Sequence, residues 1–304
     1  MKLGINLPQF GRYASPEAIA QVAQGAERLG CGAVWVQERL LRPTHPRQPY
    51  GGFMDPWPEN YRVVFDPIET LTYVAALTRR IRLGTSIIDA LYHSPVVLGR
   101  RLATLDRLSH GRLIAGLAQG WSDDEFEVVN VSPKRKGAAF EEFLRALLAV
   151  WGPDPVHFEG QLYHIPESEV GPKPAQQPRP PVLVGSFAPV GVQRAARLGL
   201  GWNPALVSFE LLDQGLRAFR AAAAEAGHDP KALPVMVRAS PAISETPIEG
   251  ERRPLTGSIS QAKDDVQRVA CMGVDQLFID FYQSDTPPDE QLRQLADLVA
   301  ATTA

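Results

Sequence analysis

Glu38 and Arg39 stand side by side where an apolar run, Ala33 to Val36, gives way to a loop. A carboxyl in such a place works as acid or base if partial burial raises its pKa. Paired with Arg39 its pKa would instead fall, which would make Glu38 structural. Arg39 exchanges no proton near neutral pH, because its own pKa lies above about 12. It can neutralise an anionic ligand or a carboxylate. His93 follows a later apolar run and titrates near neutrality, so it is the best-placed proton carrier. Its plainer reading is a surface histidine flanking a helix. Asn6, Gln9, Asp89, Tyr92 and Asn203 are further polar residues near the ends of apolar runs.

A second set of residues suits a ligand rather than a proton. In Gln119-Gly120-Trp121 the glycine allows close backbone approach, and the glutamine both donates and accepts hydrogen bonds. Trp121 either walls a ligand or packs in the core. Gly185-Ser186-Phe187 precedes a helix, where free backbone N–H groups suit a phosphate. The alternative is a simple turn with Ser186 as a cap. Asp123, Asp124, Glu125 and Glu127 decorate a helix start, where negative charge is favourable. No metal-ligand spacing, Ser/His/Asp grouping or phosphate loop is present, and no metal is expected.

These residues need elements to position them. Short apolar runs near 3–7, 33–37, 81–87, 112–117, 181–185, 201–206, 233–238 and 276–281 alternate with segments of helical periodicity. Ser15-Pro16 and Ser94-Pro95 start two of the helices, and Asp66-Pro67-Ile68-Glu69 reads as a capping box. Helical crossovers imply parallel strands, and eight units in 304 residues predict one domain over residues 1–304, a single (β/α)8 TIM barrel. A doubly wound open sheet is the alternative. Against it, Asn6-Leu7-Pro8-Gln9 stands where a G-x-G-x-x-G would follow the first strand. Three inserted loops, Arg39 to Phe65, Gly152 to Pro180 and Ala239 to Gly257, are long enough to be lids or binding loops. The first is rich in proline and aromatic residues, which points to an apolar or aromatic small-molecule substrate.

The block from Ile81 to Phe126 resembles the luciferase-like flavin and deazaflavin oxidoreductases. The order of other landmarks carries the same resemblance: Val34-Trp35-Val36-Gln37-Glu38, Lys134 to Gly137, Phe158 to Tyr163, Pro172 to Gln176, Pro180 to Gly185, and Ala195 to Gly199. The resemblance implies an oxidoreductase that transfers a hydride between coenzyme F420, a deazaflavin, and a small organic substrate. It places a non-prolyl cis peptide at Ser86-Ile87 against the cofactor ring, and further cofactor contacts at Gln119, Gly120, Trp121, Gly185, Ser186 and Phe187. Glu38, Arg39 and His93 are the catalytic candidates. Many deazaflavin members carry an acid followed by histidine where this chain has Glu38-Arg39, and Ala118 replaces a common glycine. Lys134-Arg135-Lys136 either meets a polyglutamate tail or is a solvated cluster. Two alternatives stand beside this reading: an FMN-dependent monooxygenase using reduced flavin and oxygen, and a degenerate barrel that binds without turnover. A homodimer is the expected assembly.

Composition is that of an ordinary soluble protein: 44% hydrophobic, 21% charged, net charge −3. That charge gives no reason to expect nucleic acid or a membrane surface. The strand beginning at Lys2 lacks the charged and apolar regions of a signal peptide ahead of it, and Cys31 and Cys271 sit in no CxxC, so a reduced cytoplasmic setting is expected. Both cysteines read as small, semi-buried residues.

Overall fold

The computed structural model describes residues 1–51, 54–282 and 284–301. Eight strands form the barrel among these residues: β1 Lys2–Asn6, β2 Ala33–Val36, β3 Arg82–Thr85, β4 Leu113–Ala118, β5 Val182–Val184, β6 Gly201–Trp202, β7 Met236–Ala239 and β8 Gln276–Ile279. Every pairing between neighbours is parallel, in the order β7-β8-β1-β2-β3-β4-β5-β6. Isolated parallel bridges Trp202–Val235 and Ala205–Arg238 join β6 to the β7 side and nearly close the ring. The barrel is therefore the one expected, and the open sheet is set aside.

Among the described residues eight longer helices surround it, α1 Pro16–Arg28, α2 Pro67–Leu77, α3 Pro95–Leu108, α4 Ala138–Trp151, α5 Pro189–Arg197, α6 Phe209–Glu225, α7 Ile259–Cys271 and α8 Pro288–Ala300, and a short one, Asp123–Val128, follows β4. Ser15 caps α1 by accepting from the Ala18 N–H at 3.1 Å, with Pro16 at the first helical position. Asp66 caps α2 through the Ile68 N–H, but Glu69 bonds Arg101 instead of closing a capping box. The reciprocal box lies at Ser258 and Gln261, at the start of α7. The Ser94 side chain makes no capping hydrogen bond. No helix among the described residues is long and apolar enough to cross a membrane.

Several boundaries differ from the periodicity. The run 201–206 is a strand only at Gly201–Trp202, and 233–238 begins as a strand only at Met236. Pro204 and Pro234 lack the N–H a ladder needs, which limits both. The loop Gly152 to Pro180 holds an antiparallel hairpin, Val156–Glu159 with His164–Ser168, and the loop Ala239 to Gly257 holds a short parallel pair, Ala242–Ile243 with Thr256–Gly257. Gly52 and Phe53 of the first loop lie outside the described residues.

Inside the barrel, Ala33, Trp35, Ile114, Leu183, Met236 and Phe278 form one apolar layer. Trp35 stacks on Phe278 at 4.4 Å between ring centroids, and its Nε1 donates to Gln276 Oε1 at 2.8 Å. The indole fills the space where β3 carries no side chain, since a Cβ on Gly84 would collide with it. Truncating a fully buried tryptophan of this kind costs on the order of 3–5 kcal/mol. A larger apolar shell lies between strands and helices, including Phe140, Phe143, Leu144 and Leu147 on the inner face of α4. Cys31 is buried in this shell and burial pushes its thiol up to about 12, whereas Cys271 is exposed, contrary to the semi-buried reading.

Candidate functional site

Side chains two apart on a strand point the same way. The residues two beyond the apolar layer therefore face inward at the C-terminal mouth: Gln37 after Trp35, Ser86 after Gly84, Arg238 after Met236 and Asp280 after Phe278, with Asn6 ending β1. This layer is polar. Ser86 Oγ donates to Asn203 Oδ1 at 2.7 Å, and Asn203 Nδ2 donates to Met236 O at 2.6 Å. Arg238 Nε contacts Asp280 Oδ2 at 2.6 Å. Asn6 is buried with neither its Oδ1 nor its Nδ2 hydrogen-bonded, and Gln37 Nε2 is likewise unpartnered. Buried polar atoms are rarely left so, and these have hydrogen-bonding capacity to offer a ligand or a water.

The Ser86–Ile87 peptide is cis. Ile87 reaches toward β5, and added Cβ atoms on Gly116 and Gly185 would collide with Thr85 O and the Ile87 side chain respectively. These two glycines thus make room for the turn at the end of β3. Immediately beyond it, Ile88–Asp89 pairs with the end of β4.

Beside this turn lies a buried acid cluster. Glu38 Oε1 is 2.8 Å from His93 Nε2, and Glu38 Oε2 accepts from the Asp89 N–H at 2.8 Å. The Arg39 guanidinium turns the other way. Its Nη2 is 3.0 Å from Asp89 Oδ2 and 3.2 Å from Glu125 Oε2, and only its Nε meets Glu38, at the backbone oxygen. Glu125 also accepts from the Leu40 N–H at 2.8 Å and from Tyr92 Oη at 3.3 Å. Burial pushes Asp89 up to about 7, with the Arg39 charge opposing and Glu38 and Glu125 reinforcing. Burial also raises Glu125, against Arg39. Arg39 loses from burial but gains more from Glu125 and Asp89, so it stays charged above its ordinary value. Two carboxyls, those of Asp89 and Glu125, share the one guanidinium. Burial raises both of these carboxyls against the Arg39 charge they share.

The loop after β2 folds over the mouth. Trp57 stacks on Trp121 at 5.1 Å, Arg39 lies 5.2 Å from the Trp121 ring centre, and Tyr50 meets Trp121 edge-on. Tyr61 Oη bonds Tyr50 Oη at 2.6 Å, and Tyr50 Oη is 3.0 Å from Tyr282 Oη. Gln9 fastens the loop base, donating to Phe65 O at 2.6 Å and Gln37 O at 3.0 Å while accepting from the Gln37 N–H.

The expected site residues thus fall into two groups. Glu38, Arg39, His93, Ser86, Ile87 and Trp121 surround one mouth. Gln119 is engaged elsewhere, its Oε1 accepting from the Gly137 N–H at 2.9 Å. Gly120 has φ +81°, and a Cβ there would sit 2.8 Å from Tyr92 Oη. Its glycine is thus required by the backbone and by Tyr92, without reference to a ligand. Gly185 and Ser186 are half-buried, whereas Phe187 is 73% exposed. Ser186 does not cap α5, which starts after Ala188, and Ser186 O accepts from Trp202 Nε1 at 3.0 Å. Glu125, read as decoration of a helix start, is fully buried in the acid cluster, and Ser122 caps that helix. Asp280, Arg238 and Gln37 were not singled out from their types alone. Their signal is the two-residue phase from the apolar layer. Lys136 is not freely solvated, since its Nζ donates to Trp121 O at 3.2 Å.

A luciferase-like monooxygenase family model matches residues 1–296. Among curated relatives, the chain is 28% identical over 198 residues to an F420-dependent glucose-6-phosphate dehydrogenase of Amycolatopsis mediterranei, covering 64% of this chain and 54% of that one. It is 27% identical over 185 residues to the oxygenase component of a flavin-dependent trigonelline monooxygenase of Acinetobacter baylyi, covering 60% and 46%. The solved monooxygenase RslO1 from Streptomyces bottropensis superposes over 100% of both chains with TM-score 0.80 at 23% identity, a likeness of fold. In these alignments the chain spans less than two thirds of the length of the curated relatives it matches.

Proposed function

Because the chain belongs to the luciferase-like monooxygenase family, we propose that it is an oxidoreductase transferring a hydride between coenzyme F420 and a small organic substrate. The observation that carries this reading is the contact of buried Glu38 with half-buried His93 at 2.8 Å, beside a mouth that holds the unpartnered amides of Asn6 and Gln37. Reduction of a carbonyl needs one hydride and one proton, and alcohol oxidation needs the reverse. When bound, the deazaflavin supplies or accepts the hydride.

The chain's own residues would do the rest. Asn6 and Gln37 would hydrogen-bond the polar edge of the ring, and Ile87 would lie against its face. His93, 19% exposed at its side chain and bonded to Glu38, would pass the proton to or from substrate oxygen. Asp89 and Glu125 would hold Arg39, so its charge would steady the acid cluster from beneath Trp121 rather than face the ligand. The aromatic loop from Arg39 to Phe65 would keep water off the mouth and favour an apolar or aromatic substrate. The Gly185-Ser186-Phe187 turn would accept the cofactor phosphate. The family resemblance leads us to expect a homodimer, which sedimentation would check.

Fluorescence titration tests the reading. The purified chain should quench F420 saturably and bind FMN more weakly. Tighter binding of FMN would favour a reduced-flavin monooxygenase, and binding of neither would leave a barrel without this chemistry.

A further inference from the structure

The opposite, N-terminal end of the barrel opens on a cavity of about 680 Å3. That is within the roughly 300–1,000 Å3 of small-molecule sites. Lys2, Arg28, Arg80 and Arg82 line it together with Glu27 and Asp275. The two acids are turned to backbone. Glu27 accepts from the N–H groups of Arg79, Arg80 and Ile81, and Asp275 Oδ2 accepts from the Val235 N–H at 2.8 Å. Among the described residues, none of the four cations forms a salt bridge. The chain as a whole carries −3, so this excess of positive charge is local.

Arg82 is the telling residue. It shares the inward face of β3 with Gly84, so it points into the barrel below Trp35. A guanidinium has five N–H donors. Those of Arg82 find Gln176 Oε1 at 3.4 Å and Leu113 O at 3.5 Å, both long for hydrogen bonds. Burial holds its pKa below the ordinary value, with Asp106 opposing. The dipole of α1, roughly half a negative charge at its C-terminus, accounts for Arg28 in the last turn. It does not account for a cation on a strand. Ile114, Pro234 and Met236 add an apolar wall.

We propose that this cavity binds a small organic anion, whose carboxylate or phosphate is held by Arg82 and whose apolar body lies on Ile114, Pro234 and Met236. Lys2, Arg28 and Arg80 attract the anion at the rim. The site is separate from the C-terminal mouth and does not rest on the assignment of F420.

Isothermal titration of the full chain with benzoate, phenyl phosphate and benzyl alcohol tests this. The three share an aromatic body and differ in charge. At least one anion should bind saturably and benzyl alcohol should not, and the preferred anion tells carboxylate from phosphate. Arg82→Gln should weaken binding about tenfold or more, with F420 titration unchanged. Combined Arg28→Glu and Arg80→Glu, both at exposed positions, should weaken it similarly and serves if Arg82→Gln fails to fold. Unchanged affinity in the folded variants, binding of neither anion, or displacement of the probe by F420 or FMN would overturn the proposal.

Discussion

Glu38 and His93 meet side chain to side chain at 2.8 Å, while Arg39, the immediate neighbour of Glu38, sends its guanidinium to Asp89 and Glu125 instead. Adjacent residues thus serve different partners. An acid that looked paired with the arginine beside it is free of that ion pair and available to a histidine.

His93→Ala should lower turnover by about a hundredfold or more with a competent substrate, the usual scale for losing a general acid–base. F420 affinity should change little. The pH profile of kcat should change with the loss of the general acid–base. An unaltered profile would place proton handling at Asp89, Tyr92 or a bound water.

Asp89 sets a pH dependence of stability. Its folded pKa is raised to about 7, so the folded state holds this proton more tightly than the unfolded chain. The contribution is full below about pH 4, the ordinary aspartate range. It is lost as pH rises through about 7. Asp89→Asn should therefore flatten part of the decline in melting temperature between about pH 4 and 7. A wild-type–variant difference that is constant with pH would contradict the assignment.

Gly120→Ala should destabilise the fold even without ligand. The residue has φ +81°, and the new Cβ would press on Tyr92 Oη. Such a change costs on the order of 1 kcal/mol or more, a few degrees in melting temperature. An unchanged melting temperature would show that the turn relaxes and would return Gly120 to a ligand role.

Trp57→Ala should loosen the loop over the mouth. Its indole is 1% exposed, stacks on Trp121, and donates from Nε1 to Gln48 O at 2.9 Å. Limited trypsin digestion should cut faster at Arg47 or Arg62, and KM should rise more than kcat falls. Unchanged cleavage would mean that the loop is held by its polar contacts alone.

The barrel was legible because buried parallel strands and amphipathic helices leave different periods in the sequence. Boundaries were less so at Pro204 and Pro234, where the apolar run continues but the ladder cannot. The cis turn at Ser86–Ile87 came from resemblance, and nothing in those two residue types alone requires it. The acid cluster was half legible. Glu38, Arg39 and His93 stand at strand ends, but Glu125 comes from a helix after β4 and joins them only because β2, β3 and β4 lie side by side in the sheet. Likewise, nothing local in Arg82 announces the cavity at the other end.

The central claim is hydride transfer without oxygen, and turnover under controlled atmosphere tests it most directly. Supplied with F420 or its reduced form and a panel of small alcohols and carbonyl compounds, the protein should interconvert one pair equally well in air and under anaerobic conditions, with rates collapsing in His93→Ala. Turnover that requires reduced FMN and oxygen, and leaves F420 untouched, would contradict the account.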